Sequence, residues 1–139
     1  MSYPDRSDLD TINTAVDSMP YVSNAARGLD PAYWERITTM GGICIDYVLE
    51  KIKRLEDLGW PITRLRIACC YVESEVPPPD NYHAVLQVDL DDGTQAILDS
   101  RQDHVCTIEE LQRIGYTPDR IQEVGGSRTW VQWTWEKTS

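Results

Sequence analysis

Residues 82–99 are YHAVLQVDLDDGTQAILD, two strand-like segments joined by turn residues. Tyr82, Ala84, Leu86, Val88 and Leu90 alternate with His83, Val85, Gln87 and Asp89, the period-two pattern of a strand. Asp91-Asp92-Gly93 is turn chemistry, and Thr94 to Leu98 resumes as a strand, so the stretch is a hairpin. With a three-residue loop, Leu90 faces Thr94 and Val85 faces Asp99. His83 and Asp99 then project from one sheet face as diagonal neighbours, about 7–8 Å apart at the backbone. A two-residue Asp92-Gly93 loop would slip the register by one and put them on opposite faces. The odd-length loop requires Gly93 in the left-handed region.

Upstream of this hairpin, Arg64 to Val72 alternates as another strand, with Leu65, Ile67, Cys69 and Tyr71 on one face. Between the two strands, Val76-Pro77-Pro78-Pro79-Asp80 is a loop, because proline lacks the donor that a ladder needs. Upstream, Ile45, Val48, Leu49, Ile52, Leu55 and Leu58 make the apolar stripe of a helix. Glu50 and Arg54 form an exposed i,i+4 pair on it, and Gly59 and Pro61 stop it. Asp30-Pro31 opens an earlier helix carrying Tyr33, Trp34 and Ile37, which ends before Gly41-Gly42. Asp8 to Ala26 shows weaker helical spacing at Leu9, Ile12, Val16 and Met19, interrupted at Pro20. Downstream, Thr107 and Glu110 form a capping box for a helix to Ile114, and Thr129 to Trp135 follows the Gly125-Gly126 turn as the last strand. Helices first and an antiparallel meander after them predict an α+β fold, N-terminal helices packed on an antiparallel sheet.

The chain has 139 residues, the size of one domain, taken as 1–139. Apolar residues at 41% and charged residues at 26% are a globular balance. The 13 basic and 23 acidic residues give a net charge of -10, which repels phosphate backbones and anionic lipid. Nucleic-acid and membrane binding are therefore not expected, and no apolar run is long enough to span a bilayer. The N-terminus, MSYPDRSDLD, lacks the basic and apolar regions of a signal peptide. The expectation is a cytoplasmic protein, or a periplasmic one where a leader has been removed.

Four cysteines stand at 44, 69, 70 and 106, without a CxxC pair. A chain of this size does not need disulfide staples, and Cys69 and Cys70 are adjacent in an apolar run, so reduced thiols are expected. Cys44 differs from the others. It follows two glycines and opens the helical stripe, where backbone N–H groups favour a thiolate and can hold an oxyanion. The alternative is a buried, inert cysteine. His83 at the mouth of its strand is the candidate base, against a solvated surface histidine. His104, in a polar connection, reads as solvated. Asp99 is the candidate orienting group, against a strand-end aspartate. Together Cys44, His83 and Asp99 form a Cys–His–Asp constellation. Asp89, Asp91 and Asp92 read as a solvated turn, and Trp130, Trp133 and Trp135 as core packing rather than substrate stacking.

Gly41-Gly42-Ile43-Cys44-Ile45-Asp46-Tyr47, then Lys51, Leu58-Gly59, Leu65-Arg66, Tyr82-His83-Ala84-Val85-Leu86 and Leu98-Asp99-Ser100 resemble the bacterial transglutaminase-like cysteine peptidases. The family pattern is Gly-Asp-Cys-Glu-Asp-Tyr, then His-Met/Ala-Val-Leu, then Leu-Asp-Asn. Asn13, the Asp30–Trp34 segment, Tyr116 and the terminal tryptophans extend the resemblance over most of the chain. It implies a papain-like fold with Cys44 as nucleophile, His83 as base and Asp99 as orienter, acting on a protein or peptide substrate. The implied reaction is hydrolysis of a peptide or isopeptide bond. Transglutaminase- or deamidase-type acyl transfer, and a non-catalytic binding module on the same fold, are the alternatives. The best-known family members are periplasmic and cut large surface adhesins under calcium control; short members resemble phage and prophage proteins. Here Ile43 and Ile45 replace the family's acidic neighbours of the cysteine, leaving Asp46 as the calcium candidate. Calcium takes about six to eight oxygens, so the expectation is no resident cofactor.

Overall fold

The 82–99 hairpin forms in the odd-loop register. In the computed structural model, which describes residues 7–17, 47–72, 82–102 and 104–135, strand β2 (Tyr82–Asp89) pairs antiparallel with β3 (Gln95–Leu98). Leu86 faces Leu98 and Asp89 faces Gln95. The Leu90 amide donates to the Thr94 carbonyl at 2.9 Å, and Gly93, at φ 87°, donates back to the Leu90 carbonyl at 3.2 Å. Only a residue without a Cβ takes that φ at little cost, so Gly93 sets the loop length and the loop length sets the register. Asp92 caps the turn by accepting from the Thr94 amide and hydroxyl.

Strand β1 (Leu65–Tyr71) lies on the other side of β2, with Cys70 opposite His83. The sheet has five strands in the order β3-β2-β1-β4-β5, where β4 is Thr117–Gln122 and β5 is Trp130–Gln132. The expected meander therefore covers β1 to β3 only. Strand β4 docks on the far edge of β1 and was hidden in the sequence by Pro118, a residue central strands exclude. The structure admits it at a register shift, where Cys69 pairs with Arg120 and Cys70 with Pro118. The final strand is shorter than the Thr129–Trp135 expected.

Helix α1 (Ser7–Asp17) and helix α2 (described over 47–57) pack on one face of the sheet. Leu9, Ile12 and Val16 of α1 and Val48, Ile52 and Leu55 of α2 meet Leu65, Ile67, Ala84, Leu86 and Val88 in one core cluster. Leu58 departs from its expected place: it lies just past α2, where the chain has left the stripe, and is 49% exposed. The i,i+4 pair does form, with Arg54 donating to Glu50 at 2.8 Å, but it is half-buried rather than exposed. Lys51 falls on the buried stripe, and its ammonium donates to Asn13 on α1 at 2.8 Å.

The opposite face is buried too, where alternation alone left it polar. Ala68, Cys70, Val85, Ile97, Cys106, Leu111, Tyr116, Ile121 and Trp133 form a second core cluster under helix α3 (Ile108–Arg113). The capping box of α3 is as expected: the Thr107 hydroxyl accepts from the Glu110 amide, and the Glu110 carboxylate accepts from the Thr107 amide. Trp133 packs edge-on against Trp135 and donates to Gln87 at 3.2 Å, the core role expected of it. Among the described residues no helix is long and apolar enough to cross a membrane.

Candidate active site

The register places His83 and Asp99 on the sheet face covered by α3, and their side chains meet. His83 Nε2 lies 2.5 Å from Asp99 Oδ1. His83 is 6% exposed, which overturns the solvated alternative for it, and Asp99, directly after the end of β3, is fully buried. A buried carboxylate is costly unless every oxygen is satisfied. Asp99 Oδ1 also accepts from the Arg101 amide at 2.9 Å, and Oδ2 accepts from the Tyr116 hydroxyl at 2.7 Å. Burial alone would push the Asp99 carboxyl up. The His83 imidazole, by charge and hydrogen bond, outweighs it together with the Arg101 amide and Tyr116, and holds the group below its ordinary value. Burial, and then the Asp99 charge, pushes the Tyr116 phenol well up, so it remains a donor.

Tyr116 was the residue the spacing of the chain could not assign. Its place is set by the end of α3. Gly115 takes φ 96° and donates to the Gln112 carbonyl, while the Tyr116 amide reaches back to the Leu111 carbonyl. This is the two-bond helix stop that a left-handed residue permits. It turns the next side chain inward, and Tyr116 stands edge-on to the His83 ring at 6.3 Å between centroids. Arg101 and Gln102 direct donors at the same phenol oxygen, at 3.2 and 3.4 Å. The result is a layered set, His83 on Asp99 on Tyr116, fixed from three separate parts of the chain.

Cys44, the expected nucleophile, and Asp46, the calcium candidate, lie outside the described residues, as do the Asp30 helix and the Pro77–Pro79 loop. The remaining cysteines, Cys69, Cys70 and Cys106, are buried in the core as expected. His104 is exposed as expected, and it contacts Glu110 at 2.8 Å and Cys106 Sγ at 3.6 Å. Among the described residues this is the one group of three His, Cys, Asp or Glu side chains gathered closely enough to hold a metal. Its donor set, with sulfur and imidazole, does not suit calcium.

No curated protein matches the chain. Solved structures of LapG from Legionella pneumophila do. The EGTA-treated form is 21% identical at a TM-score of 0.60, over 86% of this chain and 66% of that one. The calcium-bound form gives 21% and 0.60 over 91% and 71%, and a further LapG structure gives 22% and 0.59 over 84% and 64%. The chain thus spans about two thirds of the length of the LapG structures. At this identity the likeness shows the fold, a transglutaminase-like helix-and-sheet arrangement. The model of one family covers residues 3–137, nearly the whole sequence: the chain belongs to the bacterial transglutaminase-like cysteine proteinases.

Proposed function

We propose that the chain is a cysteine peptidase in which Cys44 is the nucleophile, His83 the general base and Asp99 the orienting carboxylate. The observation that carries this reading is the buried His83–Asp99 contact at 2.5 Å, in a chain of a cysteine proteinase family. With Nε2 engaged by Asp99, Nδ1 is the ring atom that exchanges a proton with the nucleophile. His83 takes the Cys44 thiol proton; the thiolate attacks the carbonyl carbon of a peptide or isopeptide bond. The tetrahedral oxyanion is held by backbone N–H groups at Cys44. The amine leaves with the proton returned by His83, and a thioester remains. Water, deprotonated by His83, then releases the acid and restores the thiol. Asp99, kept ionised, holds the imidazole tautomer and stabilises the transient imidazolium. The substrate is a protein or peptide.

No step of this reaction needs calcium. Where the family pattern carries three carboxylates around the cysteine, this chain brings Asp46 alone. Cys44 reactivity is therefore expected to be the same in EGTA as in millimolar calcium.

Alkylation by iodoacetamide, followed at Cys44 by peptide mass spectrometry across pH, tests the assignment. A Cys44 alkylated at about pH 6 well ahead of an ordinary thiol, whose pKa is about 8.5, supports it. A rate that climbs only toward that ordinary value sinks it.

A further inference from the structure

We propose that His104, Cys106 and Glu110 form a binding site for a thiophilic divalent cation of the zinc type, separate from the His83–Asp99 pair. The three side chains come from a short segment folded back on itself. Cys106 is pinned to β3 by a two-way backbone bridge, its amide donating to the Ile97 carbonyl and the Ile97 amide returning at 2.8 Å each. Glu110 is held in the first turn of α3, where Oε1 serves the Thr107 cap and leaves Oε2 turned toward His104. The donor atoms of all three residues lie within 4.8 Å of one another.

The separations can be compared with those around a real ion. With Zn–S about 2.3 Å and Zn–N and Zn–O about 2.0–2.1 Å, tetrahedral donors stand about 3.3–3.6 Å apart. Cys106 Sγ and His104 Nε2 are already 3.6 Å apart. His104 Nε2 and Glu110 Oε2, at 2.8 Å, must open by about half an ångström. Both of those side chains are solvent-accessible, at 51% and 33%, so the opening exchanges one surface hydrogen bond for two metal bonds. Thiolate, imidazole and carboxylate together select zinc-like ions over calcium or magnesium. On uptake the Cys106 thiol proton passes to solvent, the His104 Nε2 proton that faces Glu110 is given up and the neutral ring keeps its proton at Nδ1, so that Nε2 can bind, and water fills the fourth position. The ion would tie the chain that leaves Asp99 to helix α3.

The test uses the full chain carrying Cys44→Ala, so that the proposed nucleophile cannot supply the thiolate. Cobalt(II) titration is expected to give one equivalent of uptake with a thiolate-to-cobalt charge-transfer band, and zinc is expected to displace it. Cys106→Ser should abolish the band. His104→Ala, at an exposed position, and Glu110→Gln, which keeps the capping box, should each weaken uptake at least tenfold. Absence of the band in the Cys44→Ala protein overturns the site. So does a band that survives Cys106→Ser, or an affinity untouched by His104→Ala. Because His104→Ala removes only an exposed side chain, it decides the question even where Cys106→Ser fails to fold.

Discussion

At the scale of single residues, Asp99 is the hinge of the candidate site. Its carboxylate receives the His83 ring, the Arg101 amide and the Tyr116 hydroxyl within the sheet's second core. Asp99→Asn keeps the shape but removes the charge that holds the imidazole. We expect it to shift the Cys44 alkylation profile toward that of an ordinary thiol and to slow the reaction at about pH 6 tenfold or more, one pKa unit being a factor of ten. Tyr116→Phe deletes one hydrogen bond to a buried charge and leaves Arg101 and Gln102 without that acceptor. A loss of about 1.5–3 kcal/mol is expected, read from the urea midpoint. An unchanged midpoint would mean that the phenol contributes nothing to holding Asp99. His83 and Asp99 were legible as a pair because a hairpin register is countable from the sequence. Tyr116 was not, because it arrives from a helix stop that no count along the hairpin includes.

At the scale of elements, the join between α1 and α2 is the informative one. Lys51 sits one turn from Val48 and Leu55 on a stripe that is otherwise apolar, and its ammonium is fully buried against Asn13. A buried ammonium that loses a hydrogen-bond partner keeps its desolvation cost without that compensation. Asn13→Ala is therefore expected to destabilise the fold by about 1.5–3 kcal/mol in urea denaturation. An i,i+4 pair at the half-buried edge of α2 offers the contrast: Arg54→Ala, which breaks the contact with Glu50, should cost no more than about 0.5 kcal/mol. The strand count shows the limit of reading elements singly. Strand β4 carries Pro118 and Asp119, which argue against a strand in isolation. It forms because β1 offers a free edge beside it and a register shift accommodates the proline.

At the scale of the whole molecule, the buried Asp99 carboxylate makes the fold sensitive to acid. The folded Asp99 carboxyl lies below its ordinary value of 3.8, so the stability it contributes is present above that value and is lost as pH falls through the lower, folded one. Urea midpoints measured from pH 7 downward should decline below about pH 4, and Asp99→Asn should decline less steeply over that window. A variant as acid-sensitive as the parent would place the sensitivity elsewhere among the 23 acidic residues. Local sequence pattern marked the hairpin, most of the α2 stripe and the α3 cap, and it narrowed the hairpin to two registers, of which the odd-loop one brings His83 and Asp99 together. Each follows from local periodicity or turn chemistry, which acts over a few residues. The burial of both sheet faces, the docking of β4, the closure of Tyr116 on Asp99 and the meeting of Lys51 with Asn13 arise from tertiary packing alone. Those contacts join residues 17 to about 50 positions apart, and their energy exists only once separate elements have desolvated the same space.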